Sequence, residues 1–241
     1  MIKVGIVSNS VVTSRVIGVI LISKGYYANH IFPNDFDGGD SFDVFVMDYD
    51  GIKKFSESSS NVLFENLVNT KKYLILITSE KDILRLKEFH QKGVKGIVDS
   101  SLRVEDVAEK VYEILQTLPI SDNDKRKHYR VRVEYGVIRV EILPNKFIEG
   151  NIYDISAGGV SANFSSEVEA NMFINNKAYP CEVIFGNIVI RSKVFLVRRD
   201  RLFCGFRFFG LDNRQLIMLS EFIYHSIIEE TYGRSILSRK S

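Results

Sequence analysis

The spacing of apolar residues changes once along this chain, near residue 119, and that change limits the fold more than any motif does. Before it, short apolar runs at residues 3–7, 27–32, 43–47, 73–78 and 95–98 predict five strands. Between them, helical spacing predicts helices over residues 11–24, 60–70, 80–92 and 104–118. The first carries Val12, Val16, Val19 and Ile20 and stops at Gly25; the last carries Val107, Val111, Ile114 and Leu115 on one face. Strands that are apolar throughout, rather than alternating, belong to a parallel sheet covered on both sides. Residues 1–118 are therefore expected to form a doubly wound, five-stranded α/β domain, with segment 33–42 too short for a full second helix.

Pro119 opens a polar segment, and residues 119–125 are expected to be a linker. Beyond it the spacing is that of strands. Runs at residues 131–143 (bent at Tyr135-Gly136), 147–155, 160–164, 181–185, 188–197 and 202–209 predict six antiparallel strands. Pro144-Asn145, Gly186-Asn187 and Arg199-Asp200-Arg201 supply turns. Residues 213–229, with Leu216, Leu219, Ile223 and Ile227 on one stripe, predict a terminal helix. A six-stranded antiparallel β-barrel with that helix is expected over residues 126–229, followed by a polar, basic tail at 230–241.

Composition removes several function classes. Two cysteines, Cys181 and Cys204, cannot build a disulfide framework or a four-ligand metal site. No run of about 18 apolar residues predicts a membrane span, and the opening Met-Ile-Lys-Val lacks a signal-peptide pattern, so a cytoplasmic location is expected. No nucleophile–His–acid set, phosphate-cradling glycine loop or metal cluster is evident, so neither an enzyme nor a cofactor is expected. The net charge of +2 disfavours a general binder of nucleic acid. Split at residue 120, it is −2 (14 basic, 16 acidic) before and +4 (18 basic, 14 acidic) after. Five of those 18 bases lie in residues 125–132, which contain no acid.

That basic octapeptide holds Arg126 and Arg130, an RxxxR spacing just before the first barrel strand. Asp154, Ser156 and Gly159 form a DxSxxG spacing at the end of the next. In an antiparallel pair the start of one strand faces the end of its neighbour, so the two motifs are expected to meet. Their chemistry suits a guanine nucleotide. Guanidinium forks pair with phosphate oxygens or with guanine O6 and N7. A carboxylate accepts the N–H groups of guanine's opposite edge. Lys125, Lys127, Gly158 and Arg198 are expected at the periphery, with Arg199 beside Arg198 at the strand end. Lys127, His128 and Arg132 are expected to be solvated or peripheral rather than essential, and the strands offer no evident aromatic platform with flanking cations.

Residues 124–229 resemble the PilZ domain, the bacterial receptor for cyclic di-GMP. The likeness rests on Arg126, Arg130, Asp154, Ser156 and Gly159, on their order, and on the barrel-plus-helix outline. It implies cyclic di-GMP as ligand, with the arginines on phosphates and guanine edges and the Asp-Ser-Gly turn on the other guanine face. Family members often have an arginine where this chain has Lys125, which keeps the charge but loses the fork.

Residues 1–118 resemble a response-regulator receiver domain, through the fivefold strand–helix pattern, Asp48 at the end of strand three and Thr78 at the end of strand four. Phosphoryl transfer there needs an acidic pair after strand one and a lysine after strand five. Strand one ends in Ser8-Asn9, and Ser100 stands at the lysine position, so Asp48 reads as a vestigial phosphoacceptor. This half is then expected to be a scaffold for homodimerisation or an unidentified downstream protein, through Phe89-His90 and the helix at 104–118. The expected function is a non-catalytic cyclic di-GMP effector that changes inter-domain arrangement or partner binding. The alternatives are a phosphorylation-controlled regulator and a basic oligonucleotide-binding module.

Overall fold

The computed structural model of the chain describes residues 1–38, 41–120 and 127–233. Its backbone contacts divide it into two compact units, Met1–Lys127 with Ile227–Ser241, and His128–Ser226.

The first unit is a parallel sheet. Strands β1 (Lys3–Val7), β2 (Tyr27–Ile31), β3 (Val44–Asp48), β4 (Tyr73–Ile77) and β5 (Val94–Val98) lie in the order β2-β1-β3-β4-β5. Helices α1 (Val11–Ser23), α2 (Tyr49–Lys53), α3 (Glu57–Asn69), α4 (Ile83–Gln91) and α5 (Val104–Thr117) connect and cover them. Local chemistry sets the helix starts: Ser10, Ser56 and Asp82 each accept a backbone N–H of the first turn. Gly25 follows α1 at φ +96, a conformation that favours glycine. In place of a full second helix the chain makes one short 3-10 turn, Pro33–Asp35.

Phe45 and Met47 of β3 pack with Leu63, Phe64 and Leu67 of α3 and Phe89 of α4 in one buried cluster. Phe89 is therefore not the docking surface the sequence suggested. It is 1% exposed, its ring edge-on to those of Tyr49 and Phe64. Neighbouring His90 is exposed, as expected at the end of α4.

The second unit is an antiparallel barrel. Strands β7 (Gly136–Leu143), β8 (Lys146–Ser156), β9 (Gly159–Phe164), β10 (Ala178–Phe185), β11 (Ile188–Asp200) and β12 (Phe203–Phe209) close a ring through the β8–β9 pairing. A seventh, two-residue strand, β6 (Val131–Arg132), pairs with the far end of β8. The single strand expected over 131–143 is thus broken. The break precedes Gly136, where a Cβ would lie 2.9 Å from a Val133 methyl and 3.0 Å from Ile152. A short helix, α6 (Glu167–Asn171), follows β9, and α7 (Asn213–Tyr232) follows β12. Phe164, Phe173 and Phe206 pack ring against ring inside the barrel, with the buried Tyr179 edge-on to Phe173. The β10–β11 hairpin turns at Gly186 (φ +51) as the Gly-Asn pair predicts.

One irregularity shapes the site. Along β8 the core residues are Ile148, Gly150 and Ile152, then Ile155. The register against β9 shifts between Ile152 and Asp154, a bulge that adds Tyr153 as an extra residue. Tyr153 and Asp154 consequently both stay out of the core.

No helix among the described residues is long and apolar enough to cross a membrane.

Candidate functional site

The β6–β8 pairing brings the two motif segments together, with Arg132 opposite Asp154 and Val131 opposite Ile155. Arg130, two residues before Arg132, donates from Nη1 to Asp154 Oδ1 at 2.9 Å. The hydroxyl of Ser161, buried on β9, donates to the same oxygen at 2.7 Å. Asp154 Oδ2 accepts no hydrogen bond from a described residue. The pair sits at the surface, with side-chain exposures of 39% for Arg130 and 18% for Asp154. Such pairs contribute about 0.2–1 kcal/mol, so this contact positions the groups more than it stabilises the fold.

The Asp-Ser-Gly turn is held from within. Ser156 is 3% exposed, and its hydroxyl donates to the Gly159 carbonyl at 3.2 Å. A Cβ at Gly159 would lie 2.1 Å from the Phe206 carbonyl oxygen. The close approach of β12 requires glycine there. A Cβ at Gly158 would lie 2.4 Å from Cδ2 of His128. The His128 ring, expected to be solvated or peripheral, rests against the turn. Lys127 is exposed. Arg126 and Lys125, both assigned to the site from the sequence, lie outside the described residues.

Other expectations are redistributed. Arg198, expected at the periphery, lies over the Phe203 ring at 5.9 Å and 3.6 Å from the Asp200 carboxylate. Arg199 donates to the carbonyls of Ala170 and Phe173, closing the end of α6. Arg132, expected to be solvated or peripheral, is exposed and lies over Tyr153 with its guanidinium carbon 3.9 Å from the ring centroid. Tyr153 in turn meets Phe203 edge-on at 5.9 Å. An aromatic pair flanked by cations does exist, Tyr153 and Phe203 with Arg132 and Arg198, assembled from four strands, β6, β8, β11 and β12.

A cleft of about 830 Å³ lies on the outer face of the barrel and contains none of the motif residues. Both arginines that line it are already paired, Arg139 with Glu149 and Arg191 with Glu182.

In the parallel-sheet unit, Asp48 and Asp50 border a cleft of about 360 Å³ with Asn9, Lys54 and Ser100. Asp48 caps α2: its carboxylate accepts the Gly51 N–H at 2.9 Å and the Ser8 hydroxyl at 2.8 Å. Thr78 bonds not to Asp48 but to Asp50, at 2.8 Å, and Ser100 donates to Asp50 at 2.6 Å. Burial pushes the Asp50 carboxyl up, but hydrogen bonds from Ser100, Ser79 and Thr78 outweigh it and hold the group below its ordinary value.

No family model matches the chain, and no curated protein matches it. Among solved structures, the PilZ domain of YcgR from Escherichia coli with c-di-GMP is similar over 49% of this chain and 100% of that one, at 16% identity and a TM-score of 0.40. The non-phosphorylated HemR receiver domain from Leptospira biflexa is similar over 50% of this chain and 99% of its own, at 9% identity and a TM-score of 0.42. A two-component response regulator from Clostridium difficile is similar over 50% and 100%, at 15% identity and a TM-score of 0.39.

Proposed function

We propose that the barrel unit is a non-catalytic receptor for cyclic di-GMP and that the chain is an effector whose interactions respond to it. The observation that carries this reading is the meeting of the RxxxR and DxSxxG segments on one carboxylate. Arg130 and Ser161 both use Asp154 Oδ1, so Oδ2 can accept the N–H groups of a guanine edge. The Arg130 fork can turn to a phosphate or to guanine O6 and N7. Because the Arg130–Asp154 pair is exposed, replacing it with ligand contacts costs little. Arg126 supplies the second fork, as its spacing from Arg130 suggests. Ser156, Gly158 and Gly159 fix the turn that carries the site.

The parallel-sheet unit acts in this reading as a scaffold, its Asp48 engaged in capping a helix. The output is a change in which protein the chain binds.

Calorimetry of the full chain with cyclic di-GMP tests the proposal. Binding is expected, and Arg130→Ala should weaken it by about tenfold or more, the loss of one charged hydrogen-bonded contact. No heat at about tens of micromolar ligand would overturn it.

A further inference from the structure

Beside the Arg130–Asp154 pair lies a surface of different chemistry. Val131 and Val133 turn into the barrel at 1% and 9% exposure, which leaves Arg130 and Arg132 on its outer side. Arg132 faces Asp154 in register, yet the hydrogen bonds to Asp154 come from Arg130 and Ser161, both on Oδ1, and none comes from Arg132. Arg132 makes no ion pair with a described carboxylate and instead lies over the Tyr153 ring, its guanidinium carbon 3.9 Å from the centroid. Tyr153, 37% exposed, is braced edge-on by Phe203.

A guanidinium is weakly hydrated on its flat faces and stacks on π-systems, whereas its edge holds the donors that phosphates use. Seating one face of Arg132 on Tyr153 leaves the other face for a second planar group. We propose that Arg132, held by Tyr153, is a stacking shelf for a purine base of the nucleotide gripped by Arg130 and Asp154. The inference rests on the cyclic di-GMP reading and adds to it a contact to a base face rather than to a base edge. Continuity favours a base over a protein partner: Tyr153 and Asp154 are consecutive residues, so a guanine edge on Asp154 brings its ring plane to the shelf. Stacking tolerates any base, which leaves discrimination to the Asp154 edge contact.

The test compares cyclic di-GMP affinity of the full chain with that of Arg132→Ala, Arg132→Lys, Tyr153→Ala and Tyr153→Phe, each checked for a native thermal transition. Arg132→Ala, Arg132→Lys and Tyr153→Ala should each weaken binding by about tenfold, in the range of one lost base stack, and Tyr153→Phe should not. Lysine keeps the charge and loses the plane, so wild-type affinity in Arg132→Lys would overturn the shelf. So would wild-type affinity in both Arg132→Ala and Tyr153→Ala. Should Tyr153→Ala fail to fold, the Arg132 pair of variants decides. Binding that is lost in Arg130→Ala but kept in every Arg132 variant defeats this inference and leaves the receptor reading standing. Absence of binding by the unmodified chain defeats the receptor reading itself.

Discussion

Arg130 and Asp154, 24 positions apart, are joined by a 2.9 Å contact that places the start of the barrel against the end of β8. A separate hydroxyl, that of Ser161, holds the same carboxylate oxygen from below. Asp154 is therefore fixed even when Arg130 leaves. This arrangement separates the roles of the two residues, and experiment can tell them apart.

Arg130→Ala should weaken cyclic di-GMP binding by about tenfold or more while changing unfolding stability by less than about 1 kcal/mol, since the pair is exposed. Chemical denaturation alongside calorimetry checks both halves. A large stability loss would mean that the pair is structural.

The two glycines of the turn should respond differently. Gly159→Ala forces the backbones of β9 and β12 apart, because the obstacle is the Phe206 carbonyl; a loss of about 1–3 kcal/mol is expected. For Gly158→Ala the nearest atoms belong to the His128 ring, a side chain rather than backbone, so denaturation should show a smaller loss. Equal losses would contradict the assigned contacts.

Asp50 gives a pH signature. Its folded carboxyl titrates below the ordinary value of 3.8, so its bonds to Ser100, Ser79 and Thr78 stabilise the fold above that value. The contribution fades as pH falls through the depressed folded value. Ser100→Ala should therefore be less stable than wild type near neutral pH, and the gap should narrow in acid below about pH 3.8. Thermal melts across that range measure it; a gap that widens in acid would refute the assignment.

Burial pushes the Cys181 thiol up to about 12 and the Cys204 thiol up to about 11. Neither should be alkylated by iodoacetamide at about pH 8 in the native chain, and both should react in denaturant. Mass spectrometry reads the difference.

Asp48 should gain no phosphoryl mass from acetyl phosphate with Mg²⁺. Its oxygens are occupied by the Ser8 hydroxyl and the Gly51 N–H. A stable mass gain at Asp48 would reinstate the phosphorylation reading.

The architecture was legible because it follows from spacing. Apolar runs in the first half gave the parallel strands, and Gly186-Asn187 marked a two-residue hairpin. The meeting of Arg130 with Asp154 followed from antiparallel order alone. What escaped depends on contacts that order does not encode. Tyr153 and Phe203 meet across intervening β9, 50 residues apart in the chain. Arg199 looks like a free surface cation until α6 brings carbonyls to it. Phe89 sits between charged residues in the sequence, yet the ring clusters with Tyr49 and Phe64. Thr78 ends its strand beside the end of the strand that carries Asp48, yet its hydroxyl goes to Asp50, two residues further on. The bulge had a faint signature, apolar positions Ile148 and Ile152 followed by Ile155, a break of parity that is readable once the core side is known.

That bulge has a consequence for how such a site can vary. Removing Tyr153 would leave Ile152 inside, Asp154 outside and Ile155 inside, the regular alternation of a strand. The carboxylate and the barrel interior would keep their places, and the aromatic ring alone would vanish. A one-residue insertion or deletion, ordinarily ruinous within a strand, is here a near-neutral step that adds or withdraws a ring beside the anion-binding residues. Among descendants of one ancestral barrel, chain length at this position can tune what the surface holds without any change to the residues that fold it.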